Sequence, residues 1–319
     1  MKNYFYALLM LMSVAQTGAT EPSPKAIFII IDGIPADVIE KVNTPNIDAV
    51  SARGGYTRAY VGGQIGTESE SPTVSAVGYH SLLTGTWANK HNVTTNEIKA
   101  PNYRYWDIFR IAKNHNPSLT TAVFSTWKDN RTKLIGDGLS QAGGKKIDHY
   151  ADGFEHDTEL FPHDLKSNYI REIDQLVTAR AADHISKSSP DLTWVYLQYT
   201  DDIGHFFGDS DEQVKAVELM DARVGEIWRA VLDSQHRSAQ DWLFIVTTDH
   251  GRNSTTGRGH GGQSERERTI WIATNSNKLN DHFRQMPAIV DILPSIARHL
   301  QLSVPKNIAA QLDGQSFIE

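Results

Sequence analysis

The chain contains 319 residues, of which 39% are hydrophobic and 22% are charged, and its formal net charge at pH 7 is −7. This length and composition are those of a globular protein with a substantial core. The excess of negative charge argues against a broad basic surface that would bind a nucleic-acid scaffold. Because the sequence has no cysteine, any metal site must use His, Asp and Glu, which suit zinc, manganese, magnesium or calcium better than copper(I).

The N-terminus has the order of features found in a secretory signal peptide. Lys2 precedes an apolar run from Tyr4 to Ala15, and the small residues Gly18-Ala19 follow. We predict that residues 1–19 are a signal peptide and that residues 20–319 form one folded domain of a periplasmic or secreted protein. An uncleaved membrane anchor is the alternative, although the apolar run is too short for a transmembrane helix. No later segment approaches that length, so the mature chain is predicted to have no transmembrane segment.

Short β-branched runs alternate with segments of helical periodicity along the rest of the chain. In chain order, the pattern predicts a strand at 26–31, a helix within 71–85, a strand at 120–125, a helix at 167–185, a strand at 192–199, a helix at 212–234, strands at 242–248 and 269–274, and a helix at 288–300. Residues 127–166 are irregular and are predicted to form a loop or small excursion near the site. The alternation indicates an α/β fold with a mostly parallel central sheet sandwiched by helices in a single compact domain.

Residues able to bind metals follow three of the predicted strands. The candidates at the strand ends are Asp32, Asp201, His205, Asp249 and His250, and His260 lies in the glycine-rich segment "GRGHGG". Because ligands bind at the carboxyl ends of parallel strands, these side chains are expected to meet at one edge of the sheet. Six donors are too many for one tetrahedral zinc and enough for two sites of three ligands each. Paired metals about 3.5–4 Å apart are a known device for phosphoryl transfer. Each residue alone also fits a plainer role as a turn residue, a helix cap or a solvated loop residue.

The segment "SPTVSAVGYHSLLTG" at 71–85 puts hydroxyl side chains ahead of a predicted helix. A serine at a helix N-terminus lies near free backbone N–H groups and the positive end of the helix dipole, which favour anions. The plainer interpretation is that Ser71, Thr73 or Ser75 is only an N-cap. No Gly-x-Ser-x-Gly elbow surrounds Ser75, so a metal would have to replace the missing histidine base by lowering the pKa of the hydroxyl.

Taken in order, these motifs resemble the alkaline phosphatase superfamily, and most of all its type I phosphodiesterase/nucleotide pyrophosphatase branch. The resemblance begins near residue 26 and rests on the segments "IFIIIDG", "TPNIDAVSARG", "PTVSAVGYHSLLTG", "DDIGH", "TTDHG", "GHGG", "DILPSIARHL" and "LDGQSF". Each motif is short, but the ordered set is specific. The resemblance implies that residues 20–319 are a phosphoesterase catalytic domain.

The resemblance also implies a role for each candidate residue. The ligands of the first divalent metal would be Asp201, His205 and His260, and those of the second would be Asp32, Asp249 and His250. Zn²⁺ is the expected ion at both sites. In this family the nucleophile lies ten residues before the glycine of a "TG" pair, so Gly85 identifies Ser75, with Thr73 as the runner-up. Ser75 would attack phosphorus, activated by a metal, and water would then hydrolyse the phospho-serine.

The chain departs from the diesterase pattern at two positions. Diesterases of this branch usually have threonine as nucleophile and asparagine three residues later, whereas this chain has Ser75 and Gly78, so a phosphate-oxygen donor is expected to be missing there. Serine is typical of phosphomonoesterases, which need a cation on the more highly charged phosphate. Lys128 and Arg131 in "TWKDNR" are candidates for substrate binding, although a solvated loop charge pair is the more ordinary interpretation.

The leading hypothesis is a two-metal phosphoesterase that hydrolyses phosphodiesters, or phosphomonoesters, of small molecules such as nucleotides, lipid headgroups or sugar phosphates. Two alternatives stay open: a pseudoenzyme that binds phosphate esters, and a transferase that passes a phospho-headgroup to an acceptor other than water. A sulfatase is disfavoured because "SAVGY" lacks the Cys/Ser-x-Pro-x-Arg signature. A cofactor-independent mutase is disfavoured because the chain is short and predicted to be exported.

Overall fold

A computed structural model describes residues 22–319, and the predicted signal peptide at 1–19 lies outside the described residues. Within the described part of the chain, seven strands form one sheet in the order β2-β7-β6-β1-β5-β3-β4. The strands are β1 Ser23–Ile31, β2 Gly55–Tyr60, β3 Thr121–Ser125, β4 His149–Ala151, β5 Leu192–Leu197, β6 Gln240–Thr247 and β7 Thr269–Thr274. β1 pairs in parallel with both β5 and β6, and β3 pairs in parallel with β5 and β4. β7 pairs antiparallel with both β2 and β6 and is the one strand among the described residues that runs against the others, which confirms the mostly parallel sheet.

Helices cover both faces of this sheet. They are α1 Ala36–Ile39, α2 Pro45–Ser51, α3 Ser75–Thr84, α4 Ala88–His91, α5 Ile108–His115, α6 Asn168–Ser188, α7 Tyr199–Phe207, α8 Asp211–Arg237, α9 Glu265–Arg268, α10 Ile292–His299 and α11 Lys306–Ala309. Alternate side chains of β1 enter different cores, Phe28 and Ile30 packing with α3, α5 and α10, and Ile27, Ile29 and Ile31 packing with α2, α6 and α8. This two-sided burial explains why β1 reads as a continuous apolar run.

All five predicted strands are present, and two strands escaped prediction. β2 lies at one edge of the sheet and mixes exposed with buried side chains, while β4 has only three residues. The strand predicted at 192–199 ends at Leu197, because α7 begins at Tyr199. The helix predicted at 288–300 forms α10, and Pro294 does not interrupt it, since this proline lies in the first turn, where a backbone N–H has no intrahelical partner. No helix among the described residues has the length and apolar character that a membrane span requires.

Three adjacent parallel strands end at the same edge of the sheet, and they are β6, β1 and β5. Asp32 directly follows β1, and Asp249 comes two residues after β6. Asp201 and His205 lie on α7, which follows β5, and their i,i+4 spacing puts both side chains on one face of that helix. The strand order therefore brings the predicted ligands to one place.

A buried carboxylate fixes the start of α7. Asp174 of α6 is fully buried and accepts hydrogen bonds from the backbone N–H groups of Gln198 (3.1 Å) and Tyr199 (2.9 Å) and from the Thr126 hydroxyl. These bonds tie α6, the end of β3 and the start of α7 together. Burial raises the pKa of Asp174 to about 7, although the three hydrogen bonds oppose the rise.

The raised pKa of Asp174 predicts a specific dependence of stability on pH. Between the unfolded pKa near 3.9 and the folded pKa of about 7, the folded state binds a proton that the unfolded state does not. Asp174 therefore contributes stability at low pH that is lost as the pH rises towards 7. Urea unfolding of the metal-free protein at pH 5 and pH 8 measures this effect. Relative to the near-isosteric variant Asp174→Asn, the wild type should lose stability between the two values; an equal change in both proteins would contradict the prediction.

Candidate metal centre and active site

The first group of potential ligands is fully buried and consists of Asp32, Asp249 and His250. His250 Nε2 lies 3.4 Å from Asp32 Oδ1 and 3.3 Å from Asp249 Oδ2. These residues come from the ends of β1 and β6, as the sequence predicts. Three donor atoms on separate side chains therefore converge on one point.

The second group contains Asp201, His205 and His260. His205 Nε2 lies 3.3 Å from Asp201 Oδ2 and 3.1 Å from His260 Nε2, and His260 Nε2 lies 3.7 Å from Asp201 Oδ1. The His205 side chain is 45% exposed, so this group opens towards solvent. The structure thus brings all six predicted ligands together in two groups.

The two groups adjoin at His250. Donor atoms of Asp201, His250 and His260 also lie within 4.8 Å of one another, and the rings of His250 and His260 stack with centroids 3.7 Å apart. His250 therefore lies within reach of both groups, and the division of ligands implied by the family resemblance is one of two arrangements compatible with the distances.

Backbone carbonyls set the tautomers of the two buried histidines. Nδ1 of His250 lies 2.9 Å from the carbonyl oxygen of Gly251, and Nδ1 of His260 lies 2.9 Å from that of Thr73. Because Nδ1 carries the hydrogen in both cases, Nε2 keeps its lone pair for the site. Burial lowers the pKa of both imidazoles, which favours the neutral form that binds metals.

Each buried carboxylate of the first group has one oxygen held by the protein and one oxygen left over. Asp32 Oδ2 accepts hydrogen bonds from the hydroxyls of Tyr79 and Tyr196 (2.7 Å for Tyr196), and Asp249 Oδ1 accepts from the backbone N–H of Gly33 at 3.2 Å. The other oxygens, Asp32 Oδ1 and Asp249 Oδ2, are buried without any hydrogen-bond partner, and both face His250 Nε2. Buried unpartnered carboxylate oxygens are costly unless a cation compensates them.

The electrostatics of the cluster agree with this interpretation. Burial raises the pKa of Asp249 to about 7, and burial together with the charges of Asp249 and Asp201 raises the pKa of Asp32 well above its ordinary value. Burial also acts to raise the pKa of Asp201, but His205 and Arg252 outweigh it and hold that pKa below its ordinary range. A set of three carboxylates and three imidazoles, in which two carboxylate oxygens lack partners, fits divalent cations.

Ser75 is the first residue of α3 and lies beside this cluster. Its Oγ is 3.3 Å from His250 Nε2. The residue at the N-cap is Val74, whose side chain makes no capping hydrogen bond, so Ser75 does not have the ordinary capping role considered for it. Thr73 has a different task, because its hydroxyl donates to the Gly262 carbonyl (2.8 Å) and accepts from the Gly261 N–H (2.9 Å). These two bonds hold the loop that carries His260.

A cavity of about 370 Å³ opens over Ser75. Its lining is mainly aromatic and polar, and it consists of Asp32, Ser75, Tyr79, Asn96, Trp127, Glu155, His156, His163, Tyr169, Ile170, Tyr196, Gln198 and Asp201. Four of these residues come from the irregular region 127–166, which was predicted to form an excursion near the site. The volume suits a small ligand.

Lys128 and Arg131 do not line this cavity. The Arg131 guanidinium donates to Asp152 through Nε (2.5 Å) and Nη2 (3.0 Å) and lies 3.5 Å from the centre of the Tyr150 ring. The side chain of Lys128 is exposed, and its backbone N–H donates to Glu155. The structure therefore does not bring these two residues together with Ser75, and their role in substrate binding stays a prediction.

Asn96 is a cavity residue that the sequence analysis missed. Its Oδ1 accepts the backbone N–H of Ala76 at 2.9 Å, directly after Ser75. An amide donor is thus available beside the serine, although Gly78 lacks one. Gly78 has a packing reason to be glycine, since a Cβ there would lie 2.8 Å from the carbonyl oxygen of Asp249. Asn96 belongs to no helix or strand, so no periodic signal marked it.

Arg252, Tyr79 and Tyr196 were also missed. Arg252 follows the "DHG" motif and is 1% exposed, with its guanidinium against Asp201. Both tyrosines are buried beneath Asp32. Their sequence positions look like ordinary core or loop positions, and only the tertiary contacts reveal them.

Comparisons with known proteins place this geometry in a family. The family model described as type I phosphodiesterase / nucleotide pyrophosphatase matches residues 26–301. Among curated proteins, a 2,3-bisphosphoglycerate-independent phosphoglycerate mutase from Mycoplasma mobile is 26% identical over 196 residues, which cover 56% of this chain and 36% of the mutase. Ectonucleotide pyrophosphatase/phosphodiesterase family member 7 from Rattus norvegicus is 22% identical over 241 residues, which cover 71% of this chain and 49% of the relative. This chain thus spans half or less of the length of either relative.

Solved structures agree on the fold. Human ectonucleotide pyrophosphatase / phosphodiesterase 5 superposes with a TM-score of 0.61 at 12% identity, covering 88% of this chain and 96% of that chain. Because the family model covers most of the sequence, the chain belongs to the type I phosphodiesterase / nucleotide pyrophosphatase family.

Proposed function

We propose that this protein is a two-metal phosphoesterase that cleaves small phosphodiesters through a phospho-serine on Ser75. The observation that carries the proposal is the position of Ser75 Oγ, 3.3 Å from His250 Nε2, beside two buried carboxylate oxygens without partners. Membership of the family supports the reaction class. The presence of a candidate nucleophile and of all six ligand residues supports turnover over mere binding of phosphate esters.

Asp201, His205 and His260 would hold one cation, and Asp32, Asp249 and His250 the other, with Zn²⁺ as the proposed ion. Bound cations would supply Lewis-acid stabilisation of the charge that develops at phosphorus and would lower the pKa of the Ser75 hydroxyl. The proposed number and identity of the metals rest on the donor set of this chain.

The residues around Ser75 supply the remaining chemistry. Ser75 lies at the N-terminus of α3, a ten-residue helix, whose positive end favours a phosphate. Asn96 Oδ1 is occupied by the Ala76 N–H, which leaves the side-chain NH₂ group free to donate to a phosphate oxygen. Ser75 Oγ would attack the phosphorus held beside Asn96, in line with the P–O bond to the leaving alcohol, so that this bond breaks and the alcohol departs with a proton. Water would then displace Ser75 Oγ and release the phosphomonoester.

The charge of the cavity favours diesters over monoesters. Among the described residues that line the cavity, none is lysine or arginine, and Arg131 is already paired with Asp152. A monoester carries more negative charge than a diester and gains more from such a cation. The leaving group would be a nucleotide, a lipid headgroup or a sugar phosphate, and the predicted signal peptide supports action in the periplasm or outside the cell.

Ser75→Ala tests the nucleophile. We expect turnover of bis(p-nitrophenyl) phosphate and p-nitrophenyl phosphate to fall by ~10³-fold or more, since the variant lacks the hydroxyl that lies beside His250 Nε2. Thr73→Val is the matched comparison. Its turnover of the same substrates should fall by less than about tenfold, because the substitution removes only hydrogen bonds that hold a loop. After acid quenching, mass spectrometry should find, on the wild-type peptide that contains Ser75, a p-nitrophenyl-phosphoryl group from the diester and a phosphoryl group from the monoester. Full activity of Ser75→Ala would rule out this serine.

His260→Ala tests the division of the ligands. The variant loses one imidazole from the group of Asp201, His205 and His260. Zinc affinity at that site should fall by more than the roughly 10–100-fold typical of outer-shell partners, while zinc affinity at the site of Asp32, Asp249 and His250 should change little. Zinc titration in competition with a chromophoric chelator measures the binding of both zinc ions as two steps. His156→Ala, at an exposed cavity residue, is the control and should leave both steps unchanged. Equal loss at both sites in His260→Ala would contradict the division.

Asn96→Ala tests the proposed phosphate donor. Removal of one such donor should lower kcat by about 10²–10³-fold, with the zinc content unchanged. Asn96→Asp keeps an acceptor for the Ala76 N–H but replaces the donor with a negative charge, so it should be at least as impaired. Steady-state kinetics and metal analysis of both variants provide the test. A kcat close to that of the wild type in either variant would show that Asn96 does not act on the phosphate.

A further inference from the structure

A buried arginine lies inside the carboxylate cluster and has no part in the reaction proposed above. The Arg252 side chain is 1% exposed. Its Nη2 donates to both the backbone carbonyl (2.7 Å) and the Oδ1 carboxylate oxygen of Asp201. Nε donates to the Gly33 carbonyl and Nη1 to the Arg258 carbonyl, both at 3.0 Å. Asp201 is its only carboxylate partner within the described residues.

The surrounding backbone is shaped to admit this guanidinium. A Cβ on Gly204 would lie 2.2 Å from Arg252 Cζ, and a Cβ on Gly33 would lie 2.8 Å from Nη2 and 2.6 Å from Asp201 Oδ1. Two glycines from different elements therefore leave room for one side chain. Such a fitted cavity holds the charge at a fixed point, with no freedom to swing away when a second cation arrives.

The charges of the cluster explain what a fixed cation would do there. Asp32, Asp201 and Asp249 are buried carboxylates within one network, and three like charges repel one another strongly in a medium of low dielectric constant. Arg252 offsets one of them before any metal is bound. The same positive charge opposes a divalent cation that binds to Asp201, and the hydrogen bond to Oδ1 withholds one of the two oxygens of that carboxylate.

We propose that Arg252 is an internal counter-cation and positioning residue: it stabilises the metal-free cluster and weakens zinc binding at the Asp201 site, making the two metal sites unequal in affinity. This inference rests on the two-metal function proposed above. Its consequence is that the metal at the Asp201, His205 and His260 group, which faces solvent, exchanges more readily than the metal at the fully buried group.

Arg252→Met, which removes the charge and keeps most of the side-chain length, tests the inference through zinc affinity and metal-free stability. Competition with a chromophoric chelator should show that the affinity for one of the two zinc ions rises by at least about tenfold. The affinity for the other zinc ion should stay within about threefold of the wild-type value. Thermal unfolding in a chelator should show a lower midpoint for the variant than for the wild type, and saturating zinc should reverse the loss. Arg252→Lys keeps the charge, and its zinc affinities should stay within about threefold of wild type.

Arg223→Met is the matched control, since Arg223 pairs with Glu226 on α8, away from the cluster, and it should leave both zinc steps unchanged. If Arg252→Met does not fold without metal, Arg252→Gln should show the same tightening. Unchanged or weaker zinc binding in the neutral variant, or equal tightening in Arg252→Lys, would overturn the inference. A wild-type protein that binds no zinc would overturn the proposed function instead, so the two failures are distinguishable.

Discussion

The burial of three carboxylates at the end of one parallel sheet is the constraint on which the rest of this site depends. Isolated charges of this kind are unfavourable in a protein interior. The protein compensates them in different ways: tyrosine hydroxyls bind Asp32, a backbone N–H binds Asp249, and a guanidinium binds Asp201. The two oxygens that lack partners are then the natural places for metal cations. The proposed geometry of the metal centre follows from which carboxylate oxygens already accept hydrogen bonds from the protein and which do not.

The fold supplies this arrangement through the order of three strands. β1 lies between β5 and β6 in the sheet, so the residues after all three strands meet without long loops. The carboxylate of Asp174 accepts hydrogen bonds from backbone N–H groups at the start of α7. Thr73 makes hydrogen bonds to the loop that contains His260. The segments that carry Asp201, His205 and His260 are thus tied to neighbouring elements. Such support keeps a catalytic constellation within the narrow tolerances that its chemistry requires.

The sequence predicted the parts of the molecule that obey simple rules. Continuous apolar runs identified β1, β3, β5, β6 and β7, and the rule that parallel strands bind ligands at their carboxyl ends identified Asp32, Asp201 and Asp249. β2 was missed because an edge strand alternates polar and apolar residues without a strong run. The position of Ser75 rested on the family resemblance, because a serine before a helix is ordinarily a cap.

The missed residues are those whose meaning depends on distant partners. Arg252 looks like a loop residue until Asp201, Gly33 and Gly204 are seen around it, and Asn96 has no regular structure to mark it. Arg131 was considered for substrate binding because a monoesterase needs a cation on the phosphate, and its pairing with Asp152 could not be predicted from its sequence neighbours. No local pattern encodes these contacts, since they form only when separate elements pack together.

The most direct test of the proposed centre is anomalous scattering from crystals of the mature protein loaded with zinc, measured on both sides of the zinc absorption edge. Two anomalous peaks are expected, one among Asp32, Asp249 and His250 and one among Asp201, His205 and His260, with Ser75 Oγ beside them. A single peak, or none among these residues after saturation with zinc, would contradict the proposed centre.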